Sequence, residues 1–431
     1  MLPMPLASWN DLHKAVFVGS VARTVAALAK GEVDIDQSGW EGYTPLNLAC
    51  FRRNARIVKI LLNKGANISL VNDAGFNALH MAAQEGHLAV TKLLLRAGAD
   101  LHAKTTKTGC TPLNLAAEWG RTDVLRILIE AGGDPNSRAF DSSTPLYVAA
   151  QHGHVETVKL LLRANADPLL FYWSAHNPTG TCFVPLDAAV ERGHLEVVRE
   201  LIQRLGIEGC GGASGGVDAL CMASTVHQLE IMDELASAGV VDTGAALLMA
   251  AMSGSEPCVK FLLQQPEWRA SGEEVAYLDA LNCFGGNALV SSIAACGSRS
   301  PRITRMLVDA GADTTTAVRL TDATGAGVFD GTHLAYTNFL IREKKMKAAP
   351  EEELHSLEAT RRLLMRVEAV HAVSWLWAND APSITHAAVE LTGRAATVTS
   401  PPLTSMLPVL RRRARRPRVL LAALFRNVEK P

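Results

Sequence analysis

The chain lacks a long apolar run: none approaches the roughly 18 residues that suggest a membrane-spanning helix, so no span is expected. Aromatic residues make up only 5% of its 431 positions, and the formal net charge of −1 points to no class of partner. The eight cysteines, at 50, 110, 182, 210, 221, 258, 283 and 296, stand singly with no C-x-x-C pair, which argues against a disulfide scaffold and against zinc. Cys50 and Cys110 fall where a small residue packs or a turn sits, as reduced thiols do. The opening MLPMPLASWND has no basic segment followed by an apolar core, so a signal peptide is not expected. A cytoplasmic and/or nuclear location follows as an expectation. A P-loop, a G-x-G-x-x-G after a strand, G-x-S-x-G and H-E-x-x-H are all missing. No catalytic residue, cofactor, metal or small-molecule substrate is therefore expected.

Repetition takes the place of those motifs. In Gly75 to Asp100, GFNALHMAAQEGHLAVTKLLLRAGAD, one short helical pattern is cut off at Gly86-His87 and a second ends at Gly98. Neither reaches the roughly 12–15 residues at which an isolated helix becomes marginal in water, so the unit needs neighbours of its own kind. The residue before a Pro-Leu or Ala-Leu pair gives anchors at Thr44, Asn77, Thr111, Thr144 and Val184, spaced by 33, 34, 33 and 40 residues. Sixteen residues after the first four anchors come Ile60-Leu61-Leu62, Leu93-Leu94-Leu95, Ile127-Leu128-Ile129 and Leu160-Leu161-Leu162. A loop glycine follows the later anchors by nine: Gly86, Gly120, Gly153 and Gly193. Thr44, Thr111 and Thr144 suit helix N-caps, and the proline after each suits the first helical position, where its missing N–H costs nothing.

A period near 33 residues with T-P-L and two helices per unit closely resembles the ankyrin repeat family. The segments that carry the resemblance are Thr111-Pro112-Leu113-Asn114-Leu115-Ala116-Ala117, Thr144-Pro145-Leu146-Tyr147-Val148-Ala149-Ala150 and Gly193-His194-Leu195-Glu196-Val197-Val198. The resemblance implies an all-α solenoid of helix-turn-helix units with short β-hairpin loops. About ten repeats are expected over residues 10–378, five of them degenerate: clear over 37–209, degenerate over 10–36 and 215–378. Residues 10–36 fit the helical slots but lack the Thr-Pro signal, as terminal repeats often do. The seven-residue excess before Val184 should enlarge the hairpin tip around Phe171 to Pro178. Asn282 to Leu289 resembles Asn72 to Leu79. The last unit, from Gly331, is expected to carry a charged insertion, Arg342 to Glu353, between its helices and to close on Leu363 to Trp377. Residues 379–431 form a Pro-containing linker and a basic tail.

In the family, each repeat lends a hairpin tip and one face of its short first helix to a concave surface, and side chains there choose the partner. The matching slots here hold Trp40, Tyr43, Phe51, Arg52, Phe76, Glu85, Trp119, Phe140, His152, Phe183 and Arg192, with Trp173 at the enlarged tip. Trp, Tyr and Arg are enriched at binding hot spots, although some of these rings can instead pack against the adjacent hairpin. His80, His87, His154 and His194 occupy repeat slots and are expected to bond backbone groups rather than metal.

The other feature is the run Arg411, Arg412, Arg413, Arg415, Arg416 and Arg418. Residues 401–431 carry a local excess of seven positive charges, and the remaining 400 residues an excess of eight negative ones. The run suits a nuclear localisation signal, an acidic partner or anionic lipid, or a fold-back onto the acidic repeats. No aromatics interleave with it, which argues against an RNA-stacking surface. The expected function is a non-enzymatic scaffold or adaptor, monomeric, holding a protein partner on the concave surface. The alternative is a nuclear regulator that uses the tail for import or nucleic-acid contact.

Overall fold

The computed structural model describes residues 9–31, 33–170, 172, 183–211, 216–242, 244–265, 278, 281, 286–295, 300–314, 318–321, 327–347 and 349–378. The chain divides into two compact units, Met1–Val241 and Asp242–Pro431. The first unit stacks helix pairs: α1 (Asp11–Val18) with α2 (Val21–Ala29), α3 (Pro45–Phe51) with α4 (Ala55–Asn63), α5 (Ala78–Glu85) with α6 (Leu88–Arg96), and α7 (Pro112–Glu118) with α8 (Thr122–Glu130). Then come α9 (Pro145–Gln151) with α10 (Val155–Arg163), α11 (Pro185–Arg192) with α12 (Leu195–Cys210), and α13 (Val217–Thr225) with α14 (Leu229–Ser237).

The capping residues start these helices as their chemistry requires. The hydroxyls of Thr44, Thr111 and Thr144 accept the N–H three residues on at 3.2, 3.3 and 3.2 Å, with proline at the first helical position each time. Asn77 does the same for the His80 N–H at 3.0 Å. Val184 has no oxygen to offer. There Asp187 reaches back instead, its carboxylate accepting the Val184 N–H at 3.0 Å.

Residues 10–36, which lack Thr-Pro, begin the same way. Asn10 accepts the His13 N–H at 2.9 Å, and Asn10-Asp11-Leu12-His13 repeats the pattern of Asn77-Ala78-Leu79-His80. The sequence held a capping signal at this position in the asparagine form.

Burial explains why no pair stands alone. In α5 every residue from Ala78 to Ala83 is buried, because first helices pack on first helices of both neighbouring units. In α6 only Val90, Thr91 and Leu94 are buried, a single stripe. Leu46, Leu79, Leu113, Leu146 and Leu186 thus form one buried column, and Leu61, Leu94, Leu128, Leu161 and Leu201 another. Each such leucine contributes about 1.5–3 kcal/mol of burial, available only once the next unit is in place.

Within the second unit, α15 (Ala245–Met252) pairs with α16 (Glu256–Gln264), and α17 (Ala288–Ala294) with α18 (Ser300–Asp309). Asn287 caps α17 by accepting the Val290 N–H at 2.9 Å, as Asn77 caps α5; residues 282–285 of the resembling segment lie outside the described ones. An antiparallel hairpin follows, β1 (Val318–Thr321) with β2 (Gly327–Gly331), Leu320 opposite Phe329. Then come α19 (His333–Met346) and α20 (Glu351–Ala378).

The expected charged insertion from Arg342 to Glu353 is corrected here. Arg342 to Met346 finish α19, Glu351 to Glu353 open α20, and only 347–350 connect them. The two helices bury Tyr336, Leu340, Ile341, Leu357 and Leu364, and their charges pair across the connection, Lys344 with Glu353 at 2.8 Å and Lys345 with Glu358 at 3.7 Å. The expected repeat number rests partly on residues 266–277 and 282–285, which lie outside the described ones. Among the described residues, no helix is long and apolar enough to cross a membrane.

Candidate functional site

The hairpin tips close through backbone bonds: Gly39 N–H to the Tyr43 carbonyl at 2.9 Å, then Asn72 to Phe76, Thr105 to Cys110 and Ala139 to Ser143, each at 3.0 Å. Neighbouring tips bond to each other, Asp73 N–H to Glu41 O at 3.0 Å and Phe140 N–H to Thr108 O at 2.9 Å. Contact this close excludes side chains from the tip corner. Gly75 sits at φ +82, and a Cβ there would collide with the Thr106 backbone. Ser142 takes the same slot at φ +66; the enlarged tip expected around Phe171 to Pro178 lies, apart from Tyr172, outside the described residues.

The side chains singled out from the sequence fall into two rows, one at the tips and one at the ends of the first helices. Trp40 and Tyr43 are half-buried at the tip before α3, and Phe76, also half-buried, meets the His80 ring edge-on at 5.8 Å between centroids. Phe140 is 64% exposed although its ring abuts Gly109 of the preceding tip. Phe183 is half-buried where its backbone pairs with Tyr172, whose ring stacks on Tyr147 at 4.8 Å.

At the helix ends, Trp119 is 49% and Phe51 36% exposed, and Glu85 is half-buried. Arg52 holds its guanidinium 4.8 Å over the Phe17 ring, an intramolecular partner absent from the sequence expectation. His152 is exposed, its ring 2.9 Å from the Val148 carbonyl and stacked on His154, while Arg192 is exposed at the end of α11. Trp173 and the arginines from 411 to 418 lie outside the described residues.

The histidines of the repeat slots bond backbone. His80 Nε2 lies 3.0 and 3.1 Å from the carbonyls of Ala103 and Cys110 in the next unit. Carbonyls only accept, so Nε2 carries a proton, while Nδ1 lies 3.2 Å from the Asn77 backbone nitrogen and 2.7 Å from Asn77 Oδ1. Burial, opposed by those two carbonyls, pulls the ring down to about 4, a neutral group at neutral pH.

His154 and His194 reach back instead, to the carbonyls of Glu118 and Gln151 at 2.9 and 3.0 Å. Asn54, bonded to Gly19 O at 3.3 Å, and Arg121, bonded to Gln84 O at 2.9 Å, fill the same slot. These two linkers went unnoticed in the sequence because the residue type changes while the slot, directly after the inter-helix turn, does not. Among the described residues, no group of three or more His, Cys, Asp or Glu side chains is placed to hold a metal ion.

Carboxylates colour the face made by tips and first-helix ends. Burial raises the Tyr43 phenol, the Cys110 thiol and the Tyr147 phenol. Nearby carboxylates raise them further: Glu41 and Glu85 at Tyr43, Glu118 and Asp141 at Cys110, and Glu191 and Asp141 at Tyr147. Glu118 itself is raised, by burial first, with His152 opposing and Asp141 adding. Asp187, in the His80 slot of its unit, is pushed up to about 7 by burial.

The family model described as ankyrin repeats (3 copies) matches residues 12–105 and again 102–172. The chain is similar to the palmitoyltransferase Hip14 of Drosophila melanogaster, 33% identical over 108 residues, 25% of this chain and 17% of that one. It is similar to zygote-specific protein 3 of Chlamydomonas reinhardtii, 36% identical over 104 residues, 24% of this chain and 28% of that one. It also resembles ankyrin repeat and SOCS box protein 3 of Homo sapiens, 35% identical over 90 residues, 20% of this chain and 17% of that one. The match thus spans less than a third of each relative's length. With capped helix pairs at a 33-residue period and bonded hairpin tips, the chain carries ankyrin repeats over residues 12–172.

Proposed function

We propose that the chain is a non-enzymatic adaptor that holds a segment of a protein partner on the face formed by its hairpin tips and first-helix ends. Ankyrin repeats generally mediate protein–protein interaction. The observation that carries the reading here is the exposure of Trp119 and Phe140, two large aromatics held outward on that face while the leucine columns behind them are buried. Exposed aromatics on a rigid backbone are low-entropy anchors of the kind that dominate binding energy. Similarity to palmitoyltransferases supplies no catalytic reading, because it covers only a quarter of this chain or less.

The test is proximity labelling in cells with three proteins: wild type, Trp119→Ala/Phe140→Ala, and a chain ending before Arg411. Loss of partners from the double variant, with its melting curve unchanged, supports the reading; an unchanged partner set overturns it. The six arginines between 411 and 418 favour a second reading, a nuclear regulator using that run for import. In that case the truncated chain leaves the nucleus while the double variant stays.

A further inference from the structure

The third residue of each first helix reaches into the next repeat. His13 Nε2 lies 3.1 Å from the Tyr43 carbonyl, and His80 Nε2 3.0 Å from that of Ala103. Asn47 and Asn114 donate their side-chain N–H groups to the carbonyls of Leu70 at 3.4 Å and Ser137 at 3.3 Å. Tyr147 stacks its ring on that of Tyr172. Asp187 is next in the series and differs in kind, because an ionised carboxylate can only accept. Its carboxylate takes the Val184 N–H, at the start of its own helix, at 3.0 Å. A carbonyl of the next repeat would meet it as acceptor against acceptor unless one oxygen carried a proton.

The spacing points to the group that would receive that proton. Asn47, His80 and Asn114 each reach the backbone 23 residues on, and 23 residues after Asp187 comes Cys210, buried at the end of α12. Burial raises the Cys210 thiol to about 12, and the charge of Asp187 adds to the push, so the two side chains stand within each other's field. The connection around them is spare. Gly206 interrupts α12 at φ +67 and ψ +167, and α13 starts at Gly216, which has no side chain to cap it. Residues 212–215 lie outside the described ones.

Asp187 is 6% exposed on α11, which packs against α9, α12 and α13. The titratable groups that bear on it from those helices are Tyr147 on α9, Cys210 at the end of α12 and Asp218 on α13. None of the three is a cation. Cys221 is the other titratable group of α13. On α12, Arg199 is paired with Glu196 and Glu234, Arg204 with Glu200, and Glu208 is exposed. From this geometry we propose that Asp187 is a proton-controlled tie between the sixth and seventh helix pairs. Protonated, it donates to the backbone at Cys210 while still accepting the Val184 N–H, and α13 is held on α11. Ionised, it loses that bond, and the α13–α14 pair opens. The inference is independent of the adaptor reading.

Hydrogen exchange of the full chain at pH 6 and pH 8, with each amide corrected for its intrinsic rate, is the test. Asp187 holds its proton to about pH 7 in the closed joint against 3.8 for a free carboxyl, so the closed form weakens as pH rises through 7. Protection of the α13 and α14 amides should fall about tenfold from pH 6 to pH 8. Protection in α5 and α7 should hold, because Asn114 does not titrate and His80, at about 4, is neutral at both values. D187N carries a permanent donor, as Asn47 and Asn114 do, and should show no drop in α13 and α14. Wild-type protection of those helices that is equal at the two pH values, a drop of the same size in every helix, or a drop that survives D187N would overturn the proposal.

Discussion

His154 lies over Gly120: its Nδ1 is 2.6 Å from where a Cβ on that glycine would stand, and its Nε2 meets the Glu118 carbonyl at 2.9 Å. One glycine thus makes room for the ring that ties two repeats together. Gly153 does the same for His194, again at 2.6 Å. The loop glycine and the histidine one repeat later are two halves of a single contact.

A comparison of two glycines isolates that contact. Gly120 and Gly98 both have positive φ, +63 and +85, but nothing lies within 4 Å of a Cβ at Gly98. Either alanine bears a left-handed backbone penalty of about 1–2 kcal/mol. Gly120→Ala should lower the urea midpoint clearly more than Gly98→Ala, because His154 must also give up its seat. Equal losses would show that the ring moves aside freely.

Leu94, fully buried in the second leucine column, reports on stacking. Leu94→Ala should cost about 2–5 kcal/mol in equilibrium denaturation. A loss below about half a kcal/mol would mean the site is far less packed than its burial indicates.

Acid should act through His80. Its folded value of about 4 lies below the ordinary 6.5, so the unfolded chain takes up its proton first. Stability is full above pH 6.5, falls between there and about 4, and levels off below that, the His80 share reaching at most about 3 kcal/mol. His80→Asn places in the slot the residue that Asn47 and Asn114 supply elsewhere. Chemical denaturation at pH 7 and pH 4.5 should show a smaller drop for the variant; an equal drop would exclude His80 as the source.

Asp187 has the opposite sign. Burial lifts its folded value from 3.8 to about 7, so the proton is held more tightly in the folded chain, and stability falls as pH rises from about 4 through 7. Asp187→Asn removes the charge and keeps an oxygen for the Val184 N–H. It should stabilise the protein at pH 8, by at most about 4 kcal/mol, and much less at pH 5. No gain at pH 8 would show that solvent reaches the carboxylate.

The division of labour between sequence and tertiary structure is visible at single residues. Local rules fixed the capped starts at Thr44, Asn77, Thr111 and Thr144, the turns at Gly86, Gly120 and Gly153, and the spacing of the leucine triplets. Each depends on a few adjacent residues and on backbone chemistry that neighbouring units do not alter. The same rules held for Asn10 and Asn287, where asparagine does the work of the more obvious Thr-Pro. They failed at Arg342 to Glu353, read as an insertion, because these charges lie on the outer side of two helices whose apolar residues, among them Leu340, Ile341 and Leu357, are buried. The candidate face divides in the same way. Its positions follow from the period, so Trp119, Phe140 and His152 could be named in advance. Which rings point outward, and that Arg52 is occupied by Phe17, were decided only when separate repeats stacked. Exposure and charge pairing belong to the assembled surface, and a linear sequence does not contain them.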